Sequence, residues 1–247
     1  MNSPMRALDP SHVLELAERG RAKSPPERAV LLLAAAYPEH NEESLANLTL
    51  SERDALLLTL RERTFGKKLR GLINCPACHL ALSLDIDIDT FRSEARHSAH
   101  THLARVADYE IRFRIPNTGD LLALKENANP ERAWMHLFER CVLEARCARQ
   151  PVPASTLPPE IAEEISRLID EADPLADPQL AMECPGCGKS WRQAFDIAAY
   201  LWEEVAALAR QLLVEVHALA SVYGWSEERI LGMSAWRRGM YLAMVEG

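Results

Sequence analysis

The amino-acid sequence predicts an α+β fold that is mainly α-helical, with a small cysteine-rich β unit split by a helical insertion and a long C-terminal helix. Three observations support this prediction. Apolar residues recur at helical spacing along much of the chain, two segments alternate apolar and polar residues, and the motif C-P-x-C occurs twice. The 247 residues, of which 48% are hydrophobic and 26% charged, suffice for one large or two small globular domains.

The N-terminal region, residues 1–66, is predicted to be helical. One helix covers residues 24–37, where Ser24 is suited to be the N-cap of an S-x-x-E capping box. A second helix begins near Ser51, has a leucine-rich face, and ends at Gly66, because glycine readily adopts the backbone conformation that closes a helix.

Residues 67–116 contain the first C-P-x-C motif and two predicted strands. The segments LALSLDIDID, at residues 80–89, and YEIRFRIP, at residues 109–116, place apolar side chains at every second position, which is typical of half-buried strands. We expect them to pair as a hairpin joined by the connection 91–108.

Residues 117–180 form the predicted helical insertion, which proline-rich breaks divide into pieces. Cys141 and Cys147 fall in the middle piece, on different faces of the predicted helix, and we interpret them as small buried apolar residues. The predicted helices cover residues 119–128, 130–148 and 159–172.

Residues 181–196 contain the second C-P-x-C motif and a short predicted strand, WRQAFDI. Residues 197–247 hold the long helix, from Ile197 to Tyr223, and an aromatic-rich tip. The apolar stripe of this helix recurs in steps of three and four. It consists of Leu201, Val205, Leu208, Leu212, Val216, Leu219 and Tyr223.

The two C-P-x-C motifs, Cys75 with Cys78 and Cys184 with Cys187, predict a four-cysteine zinc ribbon. Residues 79–183 lie between them, which is acceptable because metal ligands need only converge in space. Four protein ligands leave no open coordination position, so we expect one structural Zn²⁺ per chain. The alternative is a redox dithiol, which a single C-x-x-C motif would indicate equally well.

The C-terminal tip is rich in large apolar side chains of the kinds that are enriched at protein interfaces. Two interpretations remain open: these side chains fold back on the long helix as core, or they form a docking surface. For the second, the expected partner-binding residues are Trp225, Ile230, Leu231, Met233, Trp236 and Tyr241.

Charge and motifs disfavour several functional classes. The formal net charge is −8, and no run of basic residues exceeds two, which disfavours a nucleic-acid partner. Enzyme activity is not expected, because the familiar catalytic motifs are missing. The N-terminus does not resemble a secretory signal, and the longest apolar run has nine residues, so we expect a cytoplasmic protein without a membrane partner.

The two C-P-x-C motifs, together with IRFRIPNTGDLLAL, FDIAAYLWEEV and LLVEVHALASVYGWSEERILGMSAWRRGMYLAMV, resemble the T-even-phage-type baseplate hub proteins. This family is described as hub assembly chaperones and is encoded beside phage tails and extracellular contractile injection systems. The resemblance covers most of the chain and is most specific in its last 65 residues.

The resemblance implies a non-enzymatic hub component or assembly chaperone, with baseplate, hub or spike proteins of a contractile tail as partners. It also implies that the protein acts in the cytoplasm or becomes part of a phage tail or injection particle. From the zinc ribbon alone, the alternatives are a cytoplasmic regulator that binds nucleic acid and a dithiol redox enzyme.

Overall fold

A computed structural model describes residues 5–91, 101–124 and 129–246. In these residues the predicted α+β class with a predominance of helix is confirmed. The helices are α1 (Pro10–Gly20), α2 (Pro25–Ala36), α3 (Glu42–Ala46), α4 (Leu50–Phe65), α5 (Thr118–Ala123), α6 (Pro130–Cys141), α7 (Pro159–Ala172), α8 (Ile197–Tyr223), α9 (Glu227–Leu231) and α10 (Ala235–Glu246). The strands are β1 (Lys68–Asn74), β2 (Ala81–Asp87), β3 (Thr101–Val106), β4 (Tyr109–Arg114), β5 (Val142–Cys147), β6 (Gln150–Pro151), β7 (Gln179–Glu183) and β8 (Ser190–Ala194).

The predicted N-terminal helices are confirmed together with their caps. At the start of α2 the Ser24 N–H donates to Glu27 Oε2 at 2.7 Å, which completes the capping box. Helix α4 begins after the N-cap Thr49, close to the predicted start, and ends at Phe65, with the predicted Gly66 as its C-cap at a φ of +89°. Helix α1 lies in the region predicted to be helical, although the prediction gave it no bounds, and Asp9 caps its N-terminus.

The larger of the two hydrophobic clusters in the described residues is the helical core, which is enclosed by α1, α2, α3, α4, α8 and α9. The apolar stripe of α8 lies against this core, as its spacing in sequence predicts. Trp202 also lies in it, between the guanidinium of Arg28, 4.6 Å from the ring, and the backbone of Gly20. The stripe residues Leu201, Val205, Leu212 and Leu219 are fully buried.

The second cluster, the sheet core, lies between a four-stranded antiparallel sheet and the helices α6 and α7. The strand order is β3, β4, β5, β6. Alternate residues of β4 point inward, as the two-residue period of the segment predicts. The buried members are Ile111, Phe113, Phe138, Cys141, Ala145, Leu157, Ile161, Ala162, Ile165 and Ile169.

The predicted hairpin between residues 80–89 and 109–116 is wrong. Strand β2 pairs with β1, through the register Asn74 to Ala81, and the two strands are joined by the first C-P-x-C turn. Strand β4 pairs with β3 and β5. The short connection explains the difference, because closing a loop of a few residues costs less conformational entropy than closing a long one.

The predicted helix over residues 130–148 is also wrong in its second half. Helix α6 ends at Cys141, and the chain continues directly into β5, where Ala145 pairs with Ile111. Val142 opens this strand, and a β-branched residue fits a strand better than a helix. Residues 125–128 of the predicted helix 119–128 lie outside the described residues, and α5 covers Thr118–Ala123.

A buried carboxylate, Asp120, joins β4, α5 and α6 to one another. It accepts two hydrogen bonds from the guanidinium of Arg114, at 2.6 and 2.7 Å, and one from Nε of Arg140 at 2.7 Å. The Asn117 N–H donates to it as well, at 3.0 Å. Burial raises the pKa of Asp120, but these hydrogen bonds outweigh burial and hold the pKa below its ordinary value. Strand β4 and helices α5 and α6 therefore meet at one charged group.

We expect Gly20→Ala to destabilise the protein by about 1–2 kcal/mol, because the contact between α1 and Trp202 has no room for a methyl group. A Cβ at Gly20 would lie 2.5 Å from Trp202 Cζ3 and still closer to Cη2. Gly239→Ala in α10 is the matched control: its Cβ would have no neighbour within 4 Å. That variant should gain up to about 1 kcal/mol from helix propensity. Urea unfolding measures both changes, and a loss of equal size at the two positions would contradict the packing argument.

We expect Asp120→Asn to destabilise the protein by about 2–4 kcal/mol at pH 7, because Arg114 and Arg140 lose their common anion. The folded-state pKa of Asp120 is lowered, so its contribution is present above the unfolded pKa of about 3.9 and is lost as the pH falls through the folded pKa. The difference between wild type and variant should therefore shrink below about pH 4. The control is Asp85→Asn, in an exposed ion pair, which should cost less than about 1 kcal/mol. A difference that stays constant with pH would exclude this role for Asp120.

Candidate metal centre

The four cysteines predicted to bind metal come together at one point. The sulfur atoms of Cys75, Cys78, Cys184 and Cys187 all lie within 4.8 Å of one another. Across the two hairpins, Cys75 Sγ is 3.7 Å from Cys187 Sγ, and Cys78 Sγ is 3.6 Å from Cys184 Sγ. In each motif the first cysteine is buried and the second is exposed. Two distant segments of the chain therefore contribute equivalent pairs of sulfur donors.

The two turns have the same backbone design. In the hairpin of β1 and β2, the Cys75 N–H donates to the carbonyl of Leu80, and the His79 N–H donates to the carbonyl of Cys75, both at 2.9 Å. His79 has a φ of +60°. This left-handed conformation turns the chain after the second cysteine and aims both sulfurs to the same side.

In the hairpin of β7 and β8, the Cys184 N–H donates to the carbonyl of Lys189 at 2.9 Å, and the Gly188 N–H donates to the carbonyl of Cys184 at 2.8 Å. Gly188 has a φ of +71° and takes the place that His79 has in the first turn. Glycine adopts this conformation without steric cost, whereas histidine at the same place is less common.

Backbone amides and neighbouring sulfurs shift the thiol pKa values in opposite directions. The backbone N–H of Cys78 donates to the Cys75 sulfur, and this is the largest reason that the pKa of Cys75 is lowered to about 6. The N–H of Leu80 lowers the pKa of Cys78, but the sulfurs of Cys184 and Cys187 outweigh it and raise that pKa to about 12. Four close thiolates repel one another unless a cation lies among them.

The donor set fits a zinc ion. Sulfur ligands favour Zn²⁺ or an iron–sulfur cluster over the hard cations Mg²⁺ and Ca²⁺, and zinc binds four cysteines in structural sites. The amides that point at the sulfurs provide the supporting hydrogen bonds that metal-bound thiolates usually have. Within the ranges 5–91, 101–124 and 129–246, this is the one group of cysteine, histidine and acidic residues close enough to hold an ion.

The first hairpin is attached to the helical core through Tyr200, in the first turn of α8. Its hydroxyl donates to the carbonyl of Arg70 and accepts from the Arg70 N–H, both at 2.9 Å. Phe195, between β8 and α8, stacks on Phe91 with 4.6 Å between the ring centres. The two hairpins also touch through Leu80, whose Cδ2 would lie 2.9 Å from a Cβ at Gly186. The candidate metal centre thus lies beside the start of α8.

The residues predicted to bind a partner do not form one surface. Ile230 and Leu231 are buried, and Leu231 belongs to the helical core, so their assignment to an exposed surface needs correction. Trp225 packs between Tyr223 and Tyr241, with ring centres 4.5 and 4.8 Å away. Ile230 and Leu231 follow the core interpretation because α9 folds back toward α1 and α8, whereas Trp225 is half-buried.

Trp236 is the most exposed of the predicted partner-binding residues, and Met233 is half-buried. Arg238 was not predicted to have a role, although it is buried and its Nε donates to Glu215 Oε2 at 2.9 Å. Sequence spacing gives no signal for this pair, because its members lie on two helices whose packing is set by the fold. Met240 and Met244 stay exposed on the outside of α10.

Cys141 and Cys147 lie away from the four-cysteine group. Cys141 is buried, as predicted, and burial raises its pKa to about 11. Cys147 is half-buried at the end of β5, so the prediction that it is a buried residue of a helix is wrong.

Among the described helices, α8 meets the length and composition of a membrane span. No span is predicted from the sequence, because the longest apolar run has nine residues. A core helix satisfies the same criterion, and α8 carries its apolar stripe into the helical core.

Comparison with known proteins gives one family. A family model described as "T4 bacteriophage base plate protein" matches residues 13–202, which include both cysteine hairpins and the start of α8. No curated protein and no solved structure matches the chain.

Proposed function

The chain belongs to the T4 bacteriophage base plate protein family, and from this premise we propose that it is a non-enzymatic protein of the baseplate hub. It acts as a component of the hub or as the chaperone that assembles it, in a contractile phage tail or a contractile injection system. The family match over residues 13–202 is the observation that carries this proposal.

The four-cysteine group supports a structural role for one zinc ion per chain. Cys75, Cys78, Cys184 and Cys187 would hold the ion, which supplies a cross-link between two hairpins far apart in sequence. Because the protein would provide all four ligands, no position is left for a reacting water or substrate. A dithiol redox role is less well supported, since the sulfurs of both motifs converge on one another.

The partners proposed are other baseplate, hub or spike proteins, met in the cytoplasm during assembly. Exposed apolar side chains at the C-terminal end support this proposal, because large apolar residues on a surface mark protein contacts. A finished phage tail or injection particle would contain the protein if it is a component, and would lack it if it is a chaperone.

The nucleic-acid alternative finds little support on the exposed face of the sheet. There Arg105 pairs with Glu110, and Arg112 pairs with Glu144. A nucleic-acid interface needs a cluster of uncompensated positive charges, whereas the chain has a net charge of −8.

We expect Cys184→Ser to lose the bound zinc and to lower the Tm by about 10 °C or more, because metal-binding free energy contributes to folding. Elemental analysis and thermal unfolding measure the two effects. Cys147→Ser removes a thiol outside the group and should keep one zinc per chain and the wild-type Tm. If Cys184→Ser kept both the metal and the Tm, the ion would not hold the hairpins together.

Deletion of the gene from a producing strain should abolish complete tails, and a plasmid copy should restore them, because the proposed role makes the protein necessary for a complete hub. Electron microscopy counts the particles. Mass spectrometry of assembly intermediates and of finished particles then distinguishes the two roles. A component should be found in intermediates and in finished particles, whereas a chaperone should be found only in intermediates. Normal tails without the protein would refute the proposed function.

A further inference from the structure

The outer face of α10 is an exposed apolar stripe. Trp236, Met240 and Met244 follow one another at steps of four residues, so they lie on one side of the helix. Their side chains are 76%, 45% and 63% exposed. We call these three residues the α10 stripe.

The rotation of α10 about its axis is fixed by contacts on its other side. Arg238 is buried, its Nε donates to Glu215 Oε2 of α8 at 2.9 Å, and its Nη1 donates to the carbonyl of Met233 at 2.7 Å. Tyr241 packs edge-on against Tyr223 and Trp225. Turning the α10 stripe inward would expose a buried ion pair and an aromatic cluster, so the stripe is held toward solvent.

The charge beside the stripe is positive in an acidic protein. Helix α10 contains two arginines, Arg237 and Arg238, and one acidic residue, Glu246 at its last position, whereas the whole chain has a net charge of −8. The charge of Arg238 is compensated by Glu215, which leaves the exposed Arg237 next to Trp236. A partner that covers the stripe would gain from carboxylates placed opposite Arg237.

We propose that α10 binds in a groove on the surface of another baseplate protein. The floor of this groove is apolar and its rim is acidic. This inference rests on the proposed function. Trp236 is the rigid anchor, and Met240 and Met244 adapt to the shape of the groove floor.

A protein groove fits these observations better than a second copy of this chain. A second copy would bring its own positively charged Arg237 edge to the same contact. A 12-residue helix, about 18 Å long, also offers less area than a stable symmetric dimer buries. Enclosure in a groove buries more of so short a helix than contact with a flat surface.

The test is complementation of the deletion strain, with complete particles counted by electron microscopy. We expect Trp236→Ala, and the double variant Met240→Ala with Met244→Ala, each to lower particle yield at least tenfold. Arg237→Glu should lower it as well, through repulsion from the acidic rim. The matched control is the double variant Leu213→Ala with Val214→Ala, which removes exposed apolar side chains from α8 and should leave the yield unchanged.

Each purified variant is first shown to keep the wild-type Tm and zinc content, so that a loss of particles reports the contact. Wild-type yields from the stripe variants, or equal losses from the α8 control, would overturn the inference while the proposed function stands. If the deletion itself left particle yield unchanged, both would fail.

A photo-crosslinker placed at Met240 identifies the occupant directly. We expect an adduct with one baseplate protein, at a peptide that lines an apolar groove bordered by Asp or Glu. An adduct with a second copy, together with a dimer in light scattering that Trp236→Ala abolishes, would overturn the proposal. Flotation of the wild type with anionic vesicles through Trp236 would overturn it too.

Discussion

The convergence of two cysteine hairpins on one point constrains the rest of the chain. After Cys78 the chain must leave the first hairpin, build the whole insertion, and return to Cys184 with the second turn facing the first. The segment between the hairpins, from β3 to α7, has its own sheet core and its own buried carboxylate, Asp120, and its buried cluster contains no side chain from either hairpin. The cysteines need only connect the two ends of a unit that is already compact. A metal suits this task, because it needs four donors and no extended interface.

The position of α8 follows from the same constraint. Helix α8 begins three residues after β8, with Asp196 as its N-cap, so the second hairpin fixes where the helix starts. Tyr200 then joins the first turn of α8 to the backbone of β1, in the other hairpin. The stripe that begins at Leu201 is thereby aimed at α1, α2 and α4. The first turn of α8 therefore contacts both the hairpins and the helical core, and so it fixes their positions relative to each other.

Features set by residues close together in the chain were predicted more accurately than features set by contacts between distant segments. The Ser24 N-cap of α2, the Gly66 C-cap of α4 and the stripe of α8 involve residues a few positions apart, and all are found as expected. The pairing of β2 was predicted wrongly because alternation identifies a strand but not its neighbour. Strand β5 was missed because its six residues follow a helix directly, and its place beside β4 is set by the fold. The cysteine group could be predicted although its two motifs are far apart in sequence. Each C-P-x-C motif supplies two metal ligands, and a four-cysteine site needs both motifs at one ion.

In the C-terminal tip, amino-acid composition alone does not show which apolar side chains are buried and which are exposed. Large apolar side chains predicted both a core and a docking surface there, and the 27-residue helix α8 separates the two roles. Leu231 of α9 packs with the α8 stripe in the helical core. Glu215 of α8 accepts a hydrogen bond from Arg238, and this contact orients α10 so that Met240 faces outward. The hairpins contact α8 at its first turn, whereas α10 is anchored on it about four turns later, at 3.6 residues per turn. The contacts that orient α10 therefore share no side chain with the metal centre. A defect in metal binding should disturb the hairpins before it disturbs the α10 stripe.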